Sequence, residues 1–356
     1  MSSARAIATR LIVAALVAAS LVAGGCKKKK GAAGGSAPVA ALGAIPSDAT
    51  VVVGIDVRQL AQADVVVRAV DQMLVRDPDL AARLARLAKD CGVDVAQQVK
   101  SVHLALGPRA TKGGMAPPSL LVATGQLAEP ALTACLQAGA GSGGGQLSVR
   151  DVGGRALYKL TEGARVLHFA FGQADTVVIG ADETWVLAAV GGSAKVEASP
   201  TLGPLLERVD RGAAVWTAAT MDAELGTALT RITKGKVSAA PRALHGALRT
   251  REGLIGELSF VMASEPDADA LVGFARAELE ILAMAAQAMG LGRLVAKVRV
   301  ERKGAEAQFR VALSDDEVRQ VLSAIDRGQG SGQDAHPAEA GPPPDAGPSG
   351  DANAGD

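Results

Sequence analysis

Four short runs, near residues 147–152, 155–160, 165–171 and 175–180, are separated only by "GG", "TEG" and "GQAD". Each run reads as a strand. Links this short join antiparallel neighbours, because a parallel crossover needs about a dozen residues or more. The Gly-Gly pair is also a two-residue hairpin signal, since that turn favours residues with positive φ. The stretch commits this part of the chain to an antiparallel meander.

The pattern around it extends the reading. In "IPSDATVVVGIDVRQL", Val51, Val53, Ile55 and Val57 alternate with Val52, Gly54 and Asp56, a strand rhythm. Residues 60–75 and 78–90 are predicted helices. In the second, Leu80, Leu84 and Leu87 share one face and Arg83 and Arg86 lie off it. "SVHLALG" (101–107) and "SLLVATG" (119–125) read as strands, and residues 128–138 as a short helix. Asp182 is placed to cap a helix running "DETWVLAAV".

The second half echoes the first. "GAAVWTAATMDAEL" resembles the opening strand and its helix. Residues 250–263 read as a strand and 266–289 as a long helix with Leu271, Ala275, Leu279 and Leu282 on one side. Strands 294–301 and 306–313 pair around "KGA", and "DDEVRQVLSAI" closes the folded part, resembling "DETWVLAAV" in content and position. The fold class is therefore α+β: two related units of mostly antiparallel sheet with packed helices, at 45–191 and 210–326. Residues 327–356 read as a disordered tail rich in Pro, Gly and Asp.

The N-terminus carries an address. Arg5 and Arg10 precede the apolar run "LIVAALVAASLVA", and Ala23, Gly24 and Gly25 follow it. That is the order of a secretory signal over residues 1–25. The run is shorter than the stretch of about 20 residues that spans a bilayer core. Cys26 comes next, then Lys27 to Lys30, and residues 26–44 read as a flexible Gly- and Ala-rich tether. Two processing outcomes fit: cleavage that leaves Cys26 a free thiol, or acylation of Cys26 as the new N-terminus. The chain has three cysteines. If Cys26 carries lipid, Cys91 and Cys135 remain as an even pair, for which a disulfide is the default in an oxidising compartment.

Charge and composition exclude some classes. The chain holds 37 basic and 37 acidic side chains; residues 1–25 contain Arg5, Arg10 and no acid, so the remainder is slightly acidic. No basic field for nucleic acid is present. Five Phe, two Trp and one Tyr are too few for a stacking platform. "GAGSGG" at 139–144 matches GxGxxG but follows a helix and precedes a strand, the reverse of a dinucleotide site, so it reads as a flexible loop. No cofactor is assigned.

Four histidines occur: His103, His168, His245 and His336. None forms a close pair at metal-ligand spacing, and no metal is assigned. His103 and His168 alternate with large apolar neighbours, so each points to the other sheet face and reads as a surface or hydrogen-bonded strand residue. A metal site formed where the two meet across strands is the sharper alternative. Ser314 and Glu317 form a capping box, and Ser264, Pro266 and Asp267 mark a helix start, which accounts for the acids there without catalysis. There is no GxSxG elbow and no SxxK motif, and no catalytic residue is assigned.

"AGGC" resembles the bacterial lipobox, with Gly25 at the position before the cysteine. Together with the short tether, the opening strand, the "CGVD" segment with a later helical cysteine, and tandem α+β units, it resembles uncharacterised bacterial lipoproteins. The resemblance implies an acylated Cys26 inserted in membrane lipid, with Lys27 to Lys30 at the bilayer surface. It implies an envelope location. Lys28, two after the cysteine, favours the outer membrane, the folded part facing the periplasm or the cell surface. The function expected is binding or assembly support, without catalysis, with an envelope protein as partner. The alternatives are an envelope hydrolase built from distant residues and a lipid carrier, which would need an apolar cavity between sheet and helix.

Overall fold

A computed structural model describes residues 41–330, apart from 93, 109–116, 144, 173–174, 192–194, 222–225, 228–229, 232, 234 and 289. The signal segment, Cys26, the tether up to residue 40 and the tail from 331 lie outside the described residues. The fold is α+β, and its strands form one twelve-stranded sheet.

In chain order the strands are β1 (Val51–Asp56), β2 (Val99–Leu106), β3 (Ser119–Gly125), β4 (Gln146–Asp151), β5 (Ala156–Glu162), β6 (Arg165–Phe171), β7 (Thr176–Gly180), β8 (Val215–Thr220), β9 (Ala243–Arg249), β10 (Leu254–Val261), β11 (Arg299–Lys303) and β12 (Glu306–Leu313). The sheet order is β11-β12-β10-β9-β8-β1-β2-β3-β7-β6-β5-β4, with every pairing antiparallel. Read outward from the β1–β8 join, one half runs β1-β2-β3-β7-β6 and the other β8-β9-β10-β12-β11. The halves share one strand order, and the first adds β5 and β4 at its edge.

The helices are α1 (Val57–Ala61), α2 (Asp64–Arg76), α3 (Pro78–Cys91), α4 (Val95–Gln98), α5 (Glu129–Gly143), α6 (Glu183–Gly191), α7 (Gly203–Arg208), α8 (Glu265–Gln287), α9 (Gly292–Val295) and α10 (Asp315–Gly330). They cover both faces of the sheet. On the front face, α5 brings Leu132 and Leu136 onto Leu121, Phe169 and Phe171, and α8 brings Leu271, Val272 and Phe274 onto Phe260, Val300 and Phe309. On the back face, α6, α7 and the turn at Ala41–Ala44 pack Leu42, Trp185, Val186 and Leu205 over Val52, Ala105, Val178 and Ala218.

Local chemistry explains the helix starts. The main-chain N–H of Trp185 donates to Asp182 Oδ1 at 3.0 Å. Ser264 is extended, at φ −148° and ψ 166°, and accepts from the Asp267 N–H ahead of α8. Ser314 N–H donates to Glu317 Oε2 at 2.9 Å and Glu317 N–H to Ser314 Oγ at 3.4 Å, a reciprocal box that satisfies otherwise orphaned donors.

The back face also depends on a close approach. The Trp216 indole of β8 lies over Gly54 of β1, so a Cβ on Gly54 would fall 2.1 Å from Trp216 Cε2. Only glycine leaves the ring that space.

Several expectations are corrected. Residues 139–143 of the Gly-rich segment are the last turns of α5, not a loop. The strand expected at 250–263 is β10, and a separate strand, β9, precedes it across a turn in which Gly253 has φ +86°. The strand expected at 294–301 starts later, because α9 occupies Gly292–Val295. The terminal helix α10 follows β12 as α6 follows β7, but α6 packs on β6 and β7 while α10 packs beside α2.

Candidate binding site

The front face contains a trough where β8, β9, β10 and β12 lie side by side. Two cross-strand rows form its floor. One row is Thr217, Gly246, Leu258 and Phe309; the next is Val215, Leu248, Gly256 and Val311. Gly246 and Gly256 sit diagonally, and each removes a side chain from a surface otherwise carpeted with Val, Leu and Phe. Val298, on the segment between α9 and β11, closes one side. The result is a cavity of about 330 Å³, open to solvent. That is at the lower end of the range for small-molecule sites, roughly 300–1,000 Å³.

Its polar residues are turned away or engaged. Thr217 Oγ1 donates to the Val52 carbonyl at 3.2 Å. Strand alternation sends Glu257 and Arg310 to the back face. There Glu257 lies 3.8 Å from Arg249 and 3.9 Å from Arg310, and Arg310 lies 3.5 Å from Glu301. The trough therefore presents hydrocarbon. The sequence holds one hint of it, a glycine in mid-strand in both "ALHGALR" and "LIGELSFV", which marks a hole or a close approach. At Gly246 it is a close approach, since a Cβ there would fall 2.5 Å from the Glu257 carbonyl oxygen; the pairing that joins it to Gly256 is long-range.

The histidines fall elsewhere. His103 and His168 are buried on the back face, 8% and 7% exposed, and not on the surface. Strand alternation does put them on the face opposite their large apolar neighbours, but that face is not solvated, because helices such as α6 and α7 cover it. Nor do they meet. Strands β3 and β7 separate β2 from β6, which puts them roughly 14 Å apart at about 4.8 Å per strand. No group of His, Cys, Asp and Glu able to hold a metal occurs among the described residues.

His103 packs against Trp216, ring centroids 5.7 Å apart, and its Nδ1 has no hydrogen-bond partner. Burial lowers its pKa to about 4. His168 Nδ1 lies 3.6 Å from Glu183, which also pairs with Arg150. His245 Nε2 lies 3.7 Å from Glu306, which also pairs with Arg208. Burial lowers the pKa of both; Glu183 opposes the shift at His168, and Glu306 opposes it at His245 while Arg208 adds to it. His103 and His168 are buried and His245 is half-buried, and burial favours the neutral form of each ring. His336 lies outside the described residues.

Cys26 also lies outside the described residues. Cys91 is the last residue of α3, and Cys135 is buried within α5, which packs beside α3. No helix among the described residues is long and apolar enough to cross a membrane.

No protein family matches the chain, and no curated protein matches it. Among solved structures, one titled "Structure of crystal form I of TP0453" aligns with a TM-score of 0.46 at 10% identity, covering 82% of this chain and 98% of that chain.

Proposed function

We propose that this chain is a lipid-anchored cell-envelope protein that acts by binding rather than by catalysis. Acylated Cys26 holds it to membrane lipid, with the outer membrane favoured, and the folded part presents its front face to a ligand or to an envelope protein partner. The anchoring reading rests on the basic, apolar and small-residue order before "AGGC". The observation that carries the binding reading is the front-face trough, whose lining is apolar apart from the Thr217 hydroxyl, which donates to the Val52 carbonyl, and Glu257 and Arg310, which face the other side.

The same trough favours the lipid-carrier form of the reading over the hydrolase form. It is apolar and lined by no Ser, Cys or His, although it opens from the sheet to solvent and is not enclosed between sheet and helix as a carrier was expected to need. The proposed Cys91–Cys135 bridge is supported by the packing of α3 beside α5 and by the burial of Cys135. In the chain-entropy treatment, closing a loop of that length stabilises the fold by about 4 kcal/mol.

Metabolic labelling with a radioactive fatty acid, followed by membrane fractionation, tests the anchor. The unaltered chain should take up label and sediment with membranes, and Cys26→Ser should lose both. Equal labelling of the two chains rejects acylation at Cys26.

A further inference from the structure

The trough's lining also specifies what fills it. The side chains facing it are those of Val215, Leu248, Leu258, Val298, Phe309 and Val311, beside Gly246 and Gly256. The one polar group on the floor, the Thr217 hydroxyl, is used by the Val52 carbonyl. A ligand group that accepts hydrogen bonds would lose water there and find no side-chain donor, and one that donates would find only the Thr217 oxygen, which is unfavourable. Sugars, nucleotides and peptide main chains are thereby disfavoured. A methylene chain loses no hydrogen bonds and gains from leaving water. The cavity is open on the side away from the sheet, so a polar end group can stay hydrated while the chain lies along the glycines.

We propose that this trough binds the hydrocarbon tail of a free single-chain amphiphile of the fatty-acid class, its carboxylate left in water. A single chain is specified because the volume of about 330 Å³ is small for a ligand site. The proposal deepens the binding reading above and does not depend on where the protein is anchored.

Gly256 provides the test. Its φ is not in the left-handed region, and a Cβ there would meet Val311 Cγ1 at 3.3 Å, which must give by a few tenths of an ångström, and Leu248 Cδ1 at 3.6 Å, an ordinary contact; neither is main chain. Gly256→Leu should therefore fill the trough with little effect on the backbone. The full chain carrying Cys26→Ser, purified without detergent, is titrated with cis-parinaric acid, whose fluorescence rises on entering an apolar site. One saturable site is expected, with displacement by oleate, and Gly256→Leu should weaken binding by at least about tenfold, as filling an apolar pocket does. Val75→Ser, at an exposed position of α2 outside the trough, should bind as the parent does. Val298→Trp, which closes the side wall, is the second blocking variant should Gly256→Leu fail to fold.

Absence of a saturable site in the parent overturns the proposal, as does undiminished binding by a folded blocking variant. Displacement by two-chain phospholipid but not by oleate overturns the single-chain assignment. Fractionation of the unaltered chain with membranes, measured separately, stands or falls independently of every one of these outcomes.

Discussion

Beside the β1–β8 join, β2 presents Leu104 opposite Leu121, whereas β9 presents Gly246 opposite Leu258. On the first half, α5 closes the front face over large side chains, and Tyr158, Phe169 and Phe171 pack edge and face beneath it. On the second half, α8 covers the outer strands β11 and β12, and the glycines leave the inner strands under-filled. One strand order thus supports a packed surface on one side and a trough on the other. Helix placement and side-chain volume at two positions make the difference, so a repeated framework can vary its surface without changing its topology.

The back face contrasts in a second way. His103 pairs with Gly54, the fourth residue of β1, and His245 pairs with Ala218, the fourth residue of β8. The first pair leaves room for Trp216; the second already carries a Cβ. Gly54→Ala is therefore expected to cost about 3 kcal/mol or more, through overpacking against the indole. Denaturant unfolding measures it, and an unchanged midpoint would show that the ring moves freely.

The next effect is pH-dependent. His103 has a pKa near 4 in the folded protein and no carboxylate partner. An unfolded histidine titrates near 6.5. The depressed folded value means that the unfolded chain binds the proton more readily. Stability from this group is complete above about pH 6.5, falls as the pH drops towards 4, and loses roughly 3 kcal/mol in total. His103→Leu should flatten that part of the pH–stability curve. A curve of the same shape in the variant would assign the loss to other groups.

The two His–Glu–Arg clusters should separate by burial. Glu306 is 6% exposed, so Arg208→Ala strands a buried carboxylate; since the Arg208 side chain is itself 46% exposed, we expect about 2 kcal/mol rather than the full penalty of a buried pair. In the other half the side chains of Arg150 and Glu183 are 56% and 38% exposed, and Arg150→Ala should cost less than about 1 kcal/mol. Equal losses in thermal unfolding would remove this distinction between the halves.

What was legible in the residues follows the range of the physics. The meander at 147–180 was readable because its links are too short for anything but hairpins. The caps at Asp182, Ser264 and Ser314 were readable because each is settled within four residues. Strand β9 was not, since "ALHGALR" has glycine and histidine where a strand rhythm would show large apolar residues. The burial of His103 and His168 was not, because alternation tells which face a residue points to and not whether a distant helix covers that face. The trough was furthest from view. It exists only where Gly246 and Gly256, ten positions apart, become diagonal neighbours beneath Val298.

The proposed function is that of a folded binder held at a bilayer by acylated Cys26. An intact-mass measurement on the protein extracted from its own envelope tests that most directly. The predicted result is a chain beginning at Cys26 and heavier than its residues by the mass of attached acyl groups. A chain that retains residue 1, or one with an unmodified Cys26, contradicts it.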